Sequence, residues 1–107
     1  MQYDLFFTNP VFHKGLNATV RDSDAWMVVH IGDLLTLKKA GKQSNPPVAL
    51  GTVVGKAYIP FTIIPESWLA CEHDPSCRTL GGLFAALVTV YPHFSMRDHV
   101  TVLLFTV

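Results

Sequence analysis

Apolar and polar positions alternate with a strand period over most of the chain and switch to a helix period in one place. Tyr3–Thr8 (Y-D-L-F-F-T) reads as a first strand, which Asn9-Pro10 ends because proline lacks a ladder donor and restricts the residue before it. A second strand starts at Asn17 and carries β-branched Thr19 and Val20 up to Arg21. Gly32-Asp33 is a turn signal directly before a third strand, Leu34–Ala40. The stretch 41–47 (G-K-Q-S-N-P-P) is a loop, rich in turn formers and free of apolar residues. A long strand region, Val48–Ile64, follows, with Gly51, Gly55 and Pro60 spaced where a tightly curved sheet needs a bulge or bend.

The last strand, His99–Val107, is apolar on both alternating sets, Val100, Val102 and Leu104 against Leu103, Phe105 and Val107. Burial on both faces belongs to a strand lying between a barrel interior and a packed helix. That helix is predicted over 79–91, where Leu80, Leu83, Phe84, Leu87, Val88 and Tyr91 follow the i, i+3, i+4, i+7 pattern. Asp74-Pro75 or Thr79 caps it and Tyr91-Pro92 ends it. Its opposite face, Gly81, Gly82, Ala85, Ala86 and Thr89, is small enough to approach a strand, a ligand or a second subunit. Shorter helical turns are expected near 10–16 and 65–71, and Asp22-Ser23-Asp24 caps a turn leading into Ala25-Trp26-Met27. The pattern predicts one α+β domain over 1–107, a small curved and mostly antiparallel β-barrel of five or six strands with one main helix.

Composition narrows the function. Half the residues are hydrophobic and eight Lys+Arg balance eight Asp+Glu, so broad electrostatic binding to long nucleic acid is disfavoured while a small neutral ligand is not. The N-terminus lacks a basic region followed by an apolar run, and the longest apolar stretch, Leu80–Val90, is too short to span a bilayer. A cytoplasmic, monomeric protein is the expectation, with Cys71 and Cys77 as free thiols. Cys71, His73 and Cys77 form C-x-H-x3-C, but no CxxC or HxxxH completes a four-ligand set, so no metal is expected. No Gly-rich phosphate cradle, G-x-S-x-G or H-E-x-x-H occurs, and no cofactor is expected.

Thr19-Val20-Arg21-Asp22, followed about ten residues later by Gly32-Asp33-Leu34-Leu35, resembles the ASCH domains of the PUA-like superfamily. Leu5-Phe6-Phe7, Thr79-Leu80 through Tyr91-Pro92 and the last strand extend the resemblance over most of the chain, on order and spacing more than on any one motif. Within the superfamily the chain looks most like the small bacterial amidohydrolases that remove the acyl group from N4-acetylcytidine. The resemblance implies a PUA-like barrel, a nucleoside substrate with RNA as the open alternative, and catalysis by a lysine, a threonine and a glutamate. Thr19 matches the threonine and Arg21 the arginine two residues on, with Arg21 as a structural or substrate-orienting partner.

The other two roles are displaced. An ungapped match puts Leu16 at the lysine position and Ser76 at the glutamate position. Lys14 is the nearest lysine, and a bulge at Gly15 would let its long side chain reach Thr19. Glu72 and Asp74 are the nearest acids; Glu72 has the longer reach, and Asp74 has an alternative use as an N-cap before Pro75. Removing an acyl group from an exocyclic amine needs a nucleophile, a base to activate it and donors for the developing oxyanion. The expected constellation is therefore Lys14, Thr19 and Glu72 as reacting groups, with Arg21, Asp74 and Phe12 binding substrate, Phe12 as a stacking platform for the base.

Overall fold

The computed structural model describes residues 1–107, and its last strand, β5 (His99–Thr106), is the one about which the rest is arranged. Val100 and Val102 point to one side of it and Leu103 and Phe105 to the other, all essentially inaccessible to solvent. Each side has its own core. On the outer side Val20, Val100 and Val102 meet Phe61, Phe94, Leu83 and Leu87, while on the inner side Leu103 and Phe105 meet Leu5, Phe7, Leu35, Leu37 and Val53. A Leu, Val or Phe buried this fully contributes roughly 1.5–3 kcal/mol, so the two-sided apolar pattern of β5 fixes both layers.

The strands β1 (Gln2–Phe7), β2 (Leu16–Arg21), β3 (Leu34–Lys39), β4 (Pro47–Pro60) and β5 form a five-stranded sheet in the order β1-β3-β4-β5-β2. Every neighbouring pair is antiparallel except β1 and β3, which run parallel with Gln2 opposite Leu34. β4 is long because it serves two partners, β3 through its first half and β5 through its second, with a register shift between Val53 and Gly55. Gly55 sits closely against β5 there: a Cβ would lie 3.1 Å from Leu104 Cδ1, which would have to shift by a few tenths of an ångström.

β1 and β2 are the edges of the sheet, and the curvature brings them together without a backbone ladder between them. Arg21 Nη1 on β2 instead donates to Phe6 O on β1 at 2.8 Å. The expected barrel is thus a mixed, strongly curved sheet, open along a β1–β2 seam that one side chain bridges.

Two short helices complete the α+β arrangement. α1 (Glu66–Leu69) follows Pro65, with Glu66 in its first turn. α2 (Leu80–Val90) begins at Thr79, whose Oγ1 accepts from Gly82 N at 3.1 Å, and buries Leu83 and Leu87 against the outer core. Part of its small face is accounted for by the turn before it, since a Cβ on Gly82 would fall 2.0 Å from Ser76 O. Asp74 caps that 3-10 turn, Pro75–Cys77, rather than α2. No helix is long and apolar enough to cross a membrane.

The segment 10–16 is not the helical turn expected. It runs irregularly to a turn at Gly15, whose φ of 100° favours glycine, and joins β2 at Leu16. Gly15 exchanges two backbone hydrogen bonds with Val107, and buried Asn17 donates to His13 O at 2.7 Å and Gly15 O at 3.1 Å while accepting from His13 N. Those bonds satisfy the backbone without a helix.

Candidate active site

The seam between β1 and β2 opens into a pocket of about 210 Å³, floored by Thr19 and Arg21 of β2, flanked by Phe6 and Phe7 of β1, and closed by Glu72–Asp74 and one side of α2. Thr19 and Arg21 pair across β5 with Leu103 and Thr101, so the strand alternation turns both toward the inner face. Arg21 is fixed from several directions. Its Nε donates to Thr19 Oγ1 at 3.2 Å, its Nη1 holds Phe6 O, and its guanidinium carbon lies 4.6 Å from the Phe7 ring centroid and 6.0 Å from that of Trp26. Desolvation lowers the arginine's pKa, against raising fields from Tyr91 and Glu72; the group stays cationic because its ordinary value is so high. Thr19 Oγ1 therefore accepts from a cation and keeps its own hydrogen free, which is an arrangement that favours a developing alkoxide.

Glu72 reaches this pocket through its backbone. Ala18 N donates to Cys71 O at 2.8 Å and His73 N to Ala18 O at 3.0 Å, a one-residue parallel bridge that pins 71–73 to the edge of β2. Arg78 Nε holds Glu72 O from the other side at 3.0 Å. The Glu72 carboxyl is buried; Oε1 lies 3.1 Å from His73 Nε2 and 3.4 Å from Asp74 N, and Oε2 has no partner. Burial pushes its pKa up to about 8, overriding the Asp74 N–H and the Arg21 cation, which act the other way. Asp74, two residues on, is set apart. Burial raises it, but hydrogen bonds including those from the Ser76 amide and hydroxyl outweigh this and hold it below the ordinary carboxylate value. Two acids on one pocket wall thus have opposite protonation at neutral pH, the division used by sites that need one proton donor and one fixed anion.

Of the residues expected from sequence, Thr19, Arg21, Glu72 and Asp74 line this one pocket. Lys14 does not: it is exposed, on the loop that Asn17 and Val107 tie down, and it forms none of the pocket wall. The bulge at Gly15 exists, but it is clamped to the end of β5 and does not deliver the lysine to Thr19. Phe12 is also outside the pocket. It packs edge-on to Phe7 at 4.9 Å and lies 5.3 Å from the His73 ring, so it supports the site from behind instead of offering a stacking face.

His73 and Tyr91 are pocket residues that sequence reasoning did not assign to catalysis. The C-E-H-D run ahead of the helix held the signal for His73, but the flanking cysteines directed attention to a metal. Cys71 and Cys77 are free, and no three His, Cys, Asp or Glu side chains are placed to hold a metal ion. The Cys77 thiol is pushed up to about 11, chiefly by burial and then by Glu72, which makes it a poor nucleophile.

No protein-family model matches the chain, and no curated protein matches it. Among solved structures it is similar to the ASCH domain from Lactobacillus crispatus JV V101, with a TM-score of 0.60 at 10% sequence identity. The match covers 87% of this chain and spans 63% of the length of that one. Identity this low speaks to fold alone. Five strands in a mixed curved sheet, one main helix and short 3-10 turns, superposed over most of the chain, give this protein the α+β fold of an ASCH domain.

Proposed function

We propose that the protein is an amidohydrolase that removes the acyl group from N4-acylated cytosine nucleosides, N4-acetylcytidine being the reference substrate. The observation that carries this reading is the pocket itself, where a threonine hydroxyl held by an arginine shares a wall with a buried carboxyl of raised pKa. Thr19 Oγ1 is the attacking oxygen, forming an acyl-threonine that water then hydrolyses. Arg21 stabilises the alkoxide and the oxyanion that develops on the acyl carbonyl, and Glu72, protonated at neutral pH, delivers a proton to N4 as the C–N bond breaks. Asp74, an anion on the same pocket wall, is assigned to the base's donor edge.

A pocket of about 210 Å³, below the ~300–1,000 Å³ usual for sites that engulf a drug-sized ligand, has room for the acylated edge of one base with the sugar outside. The balance of eight Lys+Arg against eight Asp+Glu supports a free nucleoside over a long oligonucleotide. The second reading is a binding module of the PUA-like type that holds a modified nucleoside or RNA without cleaving it. It is favoured by one observation, the exposed position of Lys14. Incubation of the purified protein with N4-acetylcytidine, followed by chromatography for cytidine, separates the two. Release of cytidine and acetate supports hydrolysis, whereas saturable binding with no cytidine formed supports the binding module.

A further inference from the structure

The amidohydrolase reading leaves one chemical gap: a carboxyl that is protonated at neutral pH can donate to N4, but it cannot as a lone group also take the proton of the attacking hydroxyl. We propose that Glu72 and His73 form a single proton relay, in which His73 stands behind Glu72 as the base that no lysine supplies in this pocket. This inference rests on the proposed hydrolysis, and it makes a claim about protonation that stands apart from turnover.

The hydrogen-bond pattern fixes the tautomer. His73 Nδ1 lies 3.0 Å from Val11 O, and a carbonyl only accepts, so Nδ1 carries the hydrogen. A neutral ring then has its lone pair on Nε2, 3.1 Å from Glu72 Oε1. The group that satisfies that lone pair is an O–H on Oε1, which is the form burial favours for both residues, Glu72 being pushed up and His73 pulled down from its ordinary value by desolvation. The ring is also enclosed by Phe7 at 4.7 Å and Phe12 at 5.3 Å, an apolar setting that disfavours a resting imidazolium. Around the pair lie Arg21 from β2, Asp74, Cys77 and Arg78 from the turn before α2, Tyr91 at the end of α2, and His13, which takes a hydrogen bond from Arg78. That leaves Oε2, which in the free protein is buried and hydrogen-bonded to nothing, Thr19 included, so the relay requires substrate binding to bring Oε2 within hydrogen-bond distance of the attacking group.

The relay balances. With substrate bound and Oε2 drawn within hydrogen-bond distance of Thr19, the oxygen of Thr19 bonds to the acyl carbon, its proton passes to Oε2 and the Oε1 proton passes to Nε2. The carboxyl stays neutral, the ring becomes an imidazolium, and the carbonyl π pair becomes the oxyanion. On collapse the C–N4 bond breaks, N4 takes the proton from Oε2, and Nε2 returns its proton to Oε1. Water repeats the cycle on the acyl-threonine, and no reactant beyond water is consumed. His73 is a positioning residue in this scheme because it touches Glu72 and not the substrate.

The test combines NMR of the wild-type protein with kinetics. Side-chain 15N shifts of His73 and the 13C shift of the Glu72 carboxyl, followed from pH 5 to 10, should show a neutral Nδ1–H ring beside a protonated carboxyl at pH 7. An imidazolium beside a carboxylate at that pH overturns the relay, whatever the activity. In turnover of N4-acetylcytidine, His73→Gln should lower kcat about 100-fold or more with KM changed less than about threefold, whereas Lys14→Ala should stay within about twofold of wild type. Full activity in His73→Gln, or an equal loss in Lys14→Ala, also overturns it. If the wild type hydrolyses no N4-acylcytosine, the functional reading falls, and the relay falls with it as catalysis, while the NMR result still decides whether the neutral pair exists.

Discussion

Two irregular segments meet the same edge strand, and they treat their ionisable side chains in opposite ways. The 10–16 loop enters β2 and is tied by Asn17 and Val107, leaving Lys14 in solvent. The 71–74 segment lies alongside β2, is tied by Ala18 and Arg78, and turns Glu72 into the pocket. Both are pinned by backbone hydrogen bonds, so flexibility does not distinguish them. The difference is where each backbone path runs: the first ends at the end of β5, and the second passes over the open seam. The chemistry follows the path, with a carboxyl desolvated enough to hold its proton on one side and a hydrated ammonium group on the other.

The sharpest way to break this comparison is to remove the group on the pocket side. Glu72→Gln should cut turnover of N4-acetylcytidine by about 10²–10⁴-fold in a steady-state assay, with substrate binding retained. Thr19→Val keeps the shape of the buried side chain and removes its hydroxyl; a comparable loss is expected, together with loss of any acyl-enzyme detectable by mass spectrometry.

Stability gives a second, independent reading of the same carboxyl. A folded-state pKa raised to about 8, against an ordinary value near 4.5, means that the folded chain holds a proton the unfolded chain releases between those values. The contribution of Glu72 is therefore fully present below about pH 4.5 and is lost as pH rises through 8. Glu72→Gln, which does not ionise, should gain on wild type across that window, by an amount on the order of 3–5 kcal/mol at pH 9 in denaturant unfolding. A constant difference across the window would mean that Glu72 is not buried as a neutral acid.

On the other side of the comparison the effects are smaller. Asn17→Ala leaves His13 O without its donor and His13 N without its acceptor and should cost about 1–3 kcal/mol, with turnover changed only a few-fold because the pocket wall is not altered directly. Lys14→Ala should change neither unfolding nor turnover measurably.

The sequence made the scaffold legible because its strongest signals are period and punctuation. The two apolar sets of β5, the helical repeat from Leu80 to Tyr91 and the glycine at the β4 bulge each have one structural solution, and all are realised. The pocket residues on regular structure, Thr19 and Arg21, were legible through the resemblance of Thr19-Val20-Arg21-Asp22 to ASCH domains, and strand alternation then turns both to one face. Lys14, Phe12 and His73 were not, because their positions depend on contacts between residues distant in sequence, Gly15 with Val107, His73 with Ala18 and Val11, and Phe12 with His73, together with the Asn17 side chain folding back on His13. The 10–16 segment was expected to hold a helical turn, and Gly15 with its bonds to Val107 decided otherwise. The parallel pairing of β1 with β3, across the intervening β2, is likewise a property of the whole sheet.

The most direct test of the central claim, that a buried neutral carboxyl and not an amine drives the chemistry in this pocket, is the pH–rate profile of the wild-type protein on N4-acetylcytidine from pH 5 to 10. The account predicts that kcat/KM is sustained through neutral pH and falls above about pH 8, as Glu72 loses the proton it must deliver to N4. A rate that instead climbs steadily through pH 9 and 10, as catalysis by a deprotonating amine would give, contradicts it.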